Sequence, residues 1–230
     1  MFSSTKISNI DALSGWDTSK VTTMESMFSG AASLVNIDGA LNWDTSSVTT
    51  MVYMFRNATS LINIDGASNW NTSKVKYIYR MFSGATGLKN IDGASSWDTS
   101  EATSLLEMFY EATSLSNIDG ASNWDTSNVT RMSGMFYHNT EITNLSPLNS
   151  WDTSNVTKMD SMFYKATSLN DISGISNWDT SNVTDMSNMF YGDTKITNLS
   201  PLNGWNTAKV TDKSNMFYGI HNAIFRPDWY

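Results

Sequence analysis

Two sets of residues recur at a spacing that could do chemistry. The first is a row of amide and carboxylate pairs, Asn36 and Asp38, Asn63 and Asp65, Asn90 and Asp92, Asn117 and Asp119, each 27 residues after the last. Asn9 and Asp11 precede them in the same register. Oxygen donors in a row suit a hard divalent cation such as calcium, or a basic protein surface. Stacked aspartates would also repel, by roughly 1 kcal/mol per neighbouring pair in water. The alternative is local: asparagine bonding backbone groups as an internal ladder, and aspartate acting only as the Asp-Gly turn former. The second set is Tyr110, Tyr137, Tyr164, Tyr191 and Tyr218, preceded in register by Ser29, Arg56 and Ser83. Tyrosine along an edge is a contact residue in protein recognition, and its ring stacks on sugars. The alternative is that each ring shields its neighbour.

Other chemistries lack their residues. His138 and His221 are the two histidines, too far apart in the repeat for a triad or a metal pair. There is no cysteine, hence no thiolate ligand or thiol nucleophile. No glycine-rich phosphate loop is present. A net charge of −8 speaks against nucleic acid, which asks for a basic stripe; the nearest approach to one is Lys74, Lys76 and Arg80. No stretch is apolar for long enough to span a membrane. The expectation is a non-enzyme with no resident cofactor, calcium excepted.

What must position these residues is a repeat. Tryptophan recurs at Trp16, Trp43, Trp70, Trp97, Trp124, Trp151, Trp178 and Trp205, every 27 residues without a slip. A fixed period of this size marks a solenoid whose repeats pack on their neighbours. In the unit from Trp43, Asp44-Thr45-Ser46 is turn chemistry. Thr49 can cap a short helix, whose apolar face is Met51, Met54, Phe55, Ala58 and Leu61, at steps of three and four. Leu61 to Asp65 reads as a brief strand, broken by Asp65-Gly66. The tryptophan, methionine and phenylalanine columns are core.

The expected fold is therefore a repeat solenoid of eight 27-residue units, a leucine-rich-repeat-like right-handed superhelix. Short parallel strands would line its concave side and short helices its convex side. The array covers residues 1–219, with a half-repeat at 1–15. Residues 220–230, with Ile224, Phe225, Trp229 and Tyr230, read as a C-terminal cap. Met1–Ile7 is similar to the middle of a repeat, as if a longer array were cut there or a half-repeat served as a cap. Open ends could stack, so both a monomer and end-to-end self-association are open.

Trp178-Asp179-Thr180-Ser181-Asn182-Val183-Thr184-Asp185-Met186-Ser187-Asn188-Met189-Phe190-Tyr191 resembles the repeat of BspA-like leucine-rich-repeat surface proteins, in particular their mycoplasma-type branch of unknown function. The resemblance implies a curved parallel sheet, an extracellular or cell-surface location, and for some members adhesion. A Gly-Ala pair that lengthens the turn departs from that pattern, and no signal peptide or wall anchor is in view. The functional expectation is a bacterial recognition module for a protein or glycan on another cell or host matrix. A ligand-free spacer is the second reading. A third is ice binding through the threonine column Thr18, Thr45, Thr72 and their equivalents.

Overall fold

The computed structural model describes residues 1–230. The chain winds into coils that we number from their tryptophans, coil 1 from Trp16 to coil 8 from Trp205. Each coil is preceded by one 3-10 turn, from Asp11–Leu13 to Ser200–Leu202. Parallel bridges tie equivalent residues of successive coils: Thr23 to Thr50 to Tyr77, and Ser104 to Arg131 to Lys158 to Asp185 to Asp212. This is a repeat solenoid. No helix in it is long and apolar enough to cross a membrane.

The expected short helix over Met51–Ala58 does not form. An α-helix sends every N–H to the carbonyl four residues back. Here alternate N–H groups leave the coil. Met51, Phe55 and Asn57 donate to the carbonyls of Tyr77, Met81 and Ser83 in the next coil, at 2.8, 2.9 and 2.8 Å. The N–H groups between them close tight turns within the coil, Met54 to Met51, Arg56 to Tyr53 and Ala58 to Phe55. Tyr53 and Asn57 sit at φ of 57°, which no right-handed helix contains. Successive turns bring the chain back inward every three or four residues, so they produce the same apolar spacing as a helix. Thr49 is no cap; its hydroxyl donates to the Thr22 carbonyl.

The expected strand over Leu61–Asp65 is also corrected. Leu61 and Ile64 are buried as foreseen, but the regular coil-to-coil bond from this stretch is the Ile62 N–H to the Val35 carbonyl. Ile64, at φ −126° and ψ 33°, then bends the chain into the 3-10 turn Asp65–Ala67. That turn needs Gly66, because a Cβ there would stand 2.0 Å from the Ile37 carbonyl oxygen. The stack is held by single bridges and not by a sheet.

One continuous core of 63 buried residues runs through the coils. Its axis is two aromatic piles. Tryptophan rings from Trp43 to Trp205 stack nearly parallel, with centroids 6.2 to 6.4 Å apart. Phe28 to Phe217 stack beside them at 5.4 to 5.9 Å. Each interior indole N–H donates to the carbonyl three residues before the preceding tryptophan, as Trp70 does to Ala40 at 3.0 Å. Trp229, outside the period, stacks on Trp205 at 6.4 Å and donates to the Leu202 carbonyl. Lys213, in a column that otherwise buries apolar side chains, reaches the Trp229 carbonyl at 3.0 Å.

The threonine column from Thr18 to Thr180 is buried. Each hydroxyl donates into the next coil, as Thr45 does to the Asn71 carbonyl. It cannot present a plane to ice, and that reading is withdrawn.

A stacked core makes position along the array decide the cost of truncation. Phe136→Ala, in the middle, should destabilise by about 3–5 kcal/mol. Trp16→Ala should cost markedly less, because Trp16 is 39% exposed. Urea unfolding followed by tryptophan fluorescence and circular dichroism checks both.

Candidate functional site

The asparagine of each Asn-x-Asp pair is engaged locally. Its Oδ1 accepts the N–H of the aspartate two residues on: Asn36 from Asp38, Asn63 from Asp65 and Asn90 from Asp92, each at 3.2 Å, and Asn117 from Asp119 at 2.7 Å. The bond persists where the second residue is serine, as between Asn144 and Ser146. The first residue is therefore a turn former in every such coil, and it bonds its own coil instead of forming a ladder between coils. The aspartates begin the 3-10 turns and point to solvent. Asp92 is raised above the usual carboxylate range by burial, then by the charges of Asp119 and Asp65. No three acidic side chains converge on a point that one ion could occupy. The row is a line of charges and not a cage of the six to eight oxygens that calcium takes.

The tyrosines form a single ridge. Tyr110, Tyr137, Tyr164, Tyr191 and Tyr218 stack face to face with centroids 4.4, 4.5, 4.7 and 4.7 Å apart. This is closer than the core piles. The first four are half-buried and Tyr218 is exposed. Burial, and then the neighbouring phenols Tyr110 and Tyr164, push the Tyr137 hydroxyl up to about 12. Tyr110 and Tyr191 shift the same way, chiefly through burial. Tyr110, Tyr137 and Tyr191 thus keep neutral phenols that both donate and accept. Lys165 lies over the Tyr164 ring at 5.5 Å.

A polar cluster that sequence reasoning left unassigned adjoins the end of the ridge. The Arg80 guanidinium forms an ion pair with Glu107, Nε lying 2.7 Å from Oε2, and one terminal nitrogen donates a hydrogen bond to Oε1 at 2.9 Å. Its other terminal nitrogen donates to the Tyr53 hydroxyl at 3.3 Å. Tyr53, Arg80 and Glu107 are one column in three successive coils, so the 27-residue register was the signal that could have found them. With Arg56, Ser83 and Tyr110, Arg80 and Glu107 line a cleft of about 330 Å³.

Two buried polar residues break the alanine column of the core. Asn139 donates to the carbonyls of Phe109 and Ala112 at 3.0 and 2.7 Å. Asp193 stands at the same place two coils on, wholly buried, and neither carboxylate oxygen has a partner. Burial holds its carboxyl well above the usual range.

Columns of equivalent side chains on a stack of near-identical coils define a repeat solenoid with a patterned surface. The chain belongs to the family described as Mycoplasma protein of unknown function, DUF285, which it matches over residues 1–118, 89–174 and 140–225. No curated protein matches it.

Asp193→Asn should stabilise the fold by about 1–3 kcal/mol near neutral pH, because an amide there faces the Phe163 and Ala166 carbonyls as Asn139 faces theirs. The gain should depend on pH. Unfolded, Asp193 loses its proton near pH 4 (about 4), whereas folded it retains it to a higher pH. Wild-type stability therefore falls as pH rises from there through the folded value. Carboxylates lowered by serine bonds, such as Asp44 and Asp125, run the other way but are common to both proteins. Denaturant melts from pH 4 to 8 should show the two proteins closest at the acid end.

Proposed function

We propose that this protein is a non-catalytic recognition module of a bacterial surface, and that it binds a protein or glycan on another cell or host matrix through its tyrosine ridge. The observation that carries this is the ridge itself, five rings stacked at 4.4 to 4.7 Å on the outside of the solenoid. Rings held by their neighbours lose little side-chain freedom on binding, and tyrosine supplies a broad apolar face with a polar tip. The family resemblance supports the surface location and a kinship with BspA-like leucine-rich-repeat adhesins. The aspartate row is secondary in this reading, since its asparagines are occupied with turn formation. It contributes long-range attraction to basic partners, which salt screens.

The test is a panel of host matrix proteins, bacterial cells and glycans, probed with the wild type and with a Tyr164→Ser, Tyr191→Ser double variant. A hit that weakens about tenfold or more in the double variant fits loss of a ring contact worth roughly 1.4 kcal/mol or more. The same hit should change little in Asp38→Ser, Asp65→Ser, Asp92→Ser protein at physiological salt. No hit for the wild type anywhere on the panel would sink the recognition reading and leave a ligand-free spacer.

A further inference from the structure

The tyrosine ridge stops at Tyr110. On its coil-5 side Tyr110 is covered by Tyr137 at 4.4 Å. On its coil-3 side the next residue in the column is Ser83, which lines the cleft and whose short side chain cannot fill the space of a ring. One coil further, the column carries Arg56. Two coils at about 4.8 Å each set Tyr110 and Arg56 roughly 10 Å apart. That is the room taken by one ring between two stacked partners. The cleft of about 330 Å³ opens there, at the lower end of small-molecule sites.

The charge in the slot is as specific as its width. Arg80 is committed to Glu107 by their ion pair and one hydrogen bond and forms a polar wall. Arg56 takes part in neither of the two ion pairs of the protein; its guanidinium rests over the Tyr53 ring at 5.5 Å. The lining residues Arg56, Arg80 and Glu107 sum to one net positive charge, on a chain whose net charge is −8. Glu111, next to Tyr110 in sequence, does not line the cleft; its carboxylate acts on the Tyr110 hydroxyl. A planar guanidinium with free donors recognises a carboxylate with two parallel bonds.

We propose that the missing rung at Ser83 is a binding slot for a single flat aromatic ring bearing a carboxylate. The ring stacks on Tyr110 and continues the ridge by one position, while the carboxylate meets Arg56. This deepens the recognition reading and rests on it, because it assigns a ligand class to the end of the same ridge.

The probe is 4-hydroxybenzoate, titrated by calorimetry into the intact protein. Saturable one-to-one binding is expected, and binding should drop by about tenfold or more with 4-hydroxybenzamide, which lacks the charge, or with cyclohexanecarboxylate, which lacks the flat ring. Arg56→Ala should weaken 4-hydroxybenzoate by a similar factor. Ser83→Tyr is the decisive variant: five other coils carry tyrosine at this place, so it should fold, melt no lower than the wild type, and abolish binding by filling the slot. Absence of saturable binding to wild type, or undiminished binding to Ser83→Tyr, overturns the proposal. Ser83→Tyr leaves Tyr137 to Tyr218 intact, so its panel hits test the ridge separately. Panel binding without 4-hydroxybenzoate binding rejects the slot alone.

Discussion

The structure depends on where its backbone N–H groups go. Buried peptide groups must be partnered, and a coil made of turns has neither a helix nor a sheet to do this. The chain answers by alternation. In each coil one N–H closes a turn and the next reaches the neighbouring coil, as Met24, Ser26, Phe28 and Gly30 do toward Thr50, Val52, Met54 and Arg56. Side chains add further ties across the same interface: the indole of Trp43 to the Leu13 carbonyl and the hydroxyl of Thr18 to the Asp44 carbonyl. Such bonds exist only if equivalent atoms face each other at every level. One inserted residue would misalign the whole set, which is why the 27-residue period never slips between Trp16 and Trp205.

This constraint explains what was legible in the residues and what was not. The period, the core columns and the burial of Leu61 and Ile64 could be read directly, because stacking turns a linear repeat into a spatial column. The coil's local structure could not. Met51, Met54, Phe55 and Ala58 recur at three and four, and a run of tight turns satisfies that spacing as well as a helix does. The distinguishing feature is left-handed backbone at two places four residues apart in each coil, for example Tyr53 and Asn57 or Gly134 and His138. Glycine and asparagine are favoured there, as at Gly30, Gly84, Asn188 and Gly192. In the unit that starts at Trp43, the first such position holds a tyrosine, so that unit read alone hides the signal. Comparing the column across coils reveals it.

The surface was legible in the same partial way. The tyrosine column is plain in the residues, but only the coil spacing on that side makes it a closed pile at 4.4 to 4.7 Å, against 6.2 to 6.4 Å for the inner tryptophans. The Asn-x-Asp pairs looked like a ligand row because both residues carry oxygens. The backbone resolves their division of labour: the first oxygen is used within its own turn, and the second is left to solvent without a converging set. The Arg80 cluster went unassigned because its members are one per coil, and a charge that recurs once per period looks like a solvated face.

Interruptions in the columns differ in what they must overcome, and this separates architecture from recognition. A polar residue inside the core has to find a partner or bear the desolvation. Asn139 finds two carbonyls. Asp193 lacks such a pair of bonds, and burial holds its carboxyl well above the usual range. Lys213 occurs only in the outermost coil, where its ammonium group can reach the tail. These are accommodations, each forced by the buried surroundings. Ser83, though buried, lies in the wall of the surface cleft and outside the apolar core. A tyrosine would continue the ridge there, as it does from Tyr110 onward, and the serine gains no hydrogen bond from its side chain that would explain its place. An interruption that the core does not demand, lying in one cleft with an arginine outside the ion pairs and the last ring of the ridge, is where a repeat scaffold can hold information that its period does not contain.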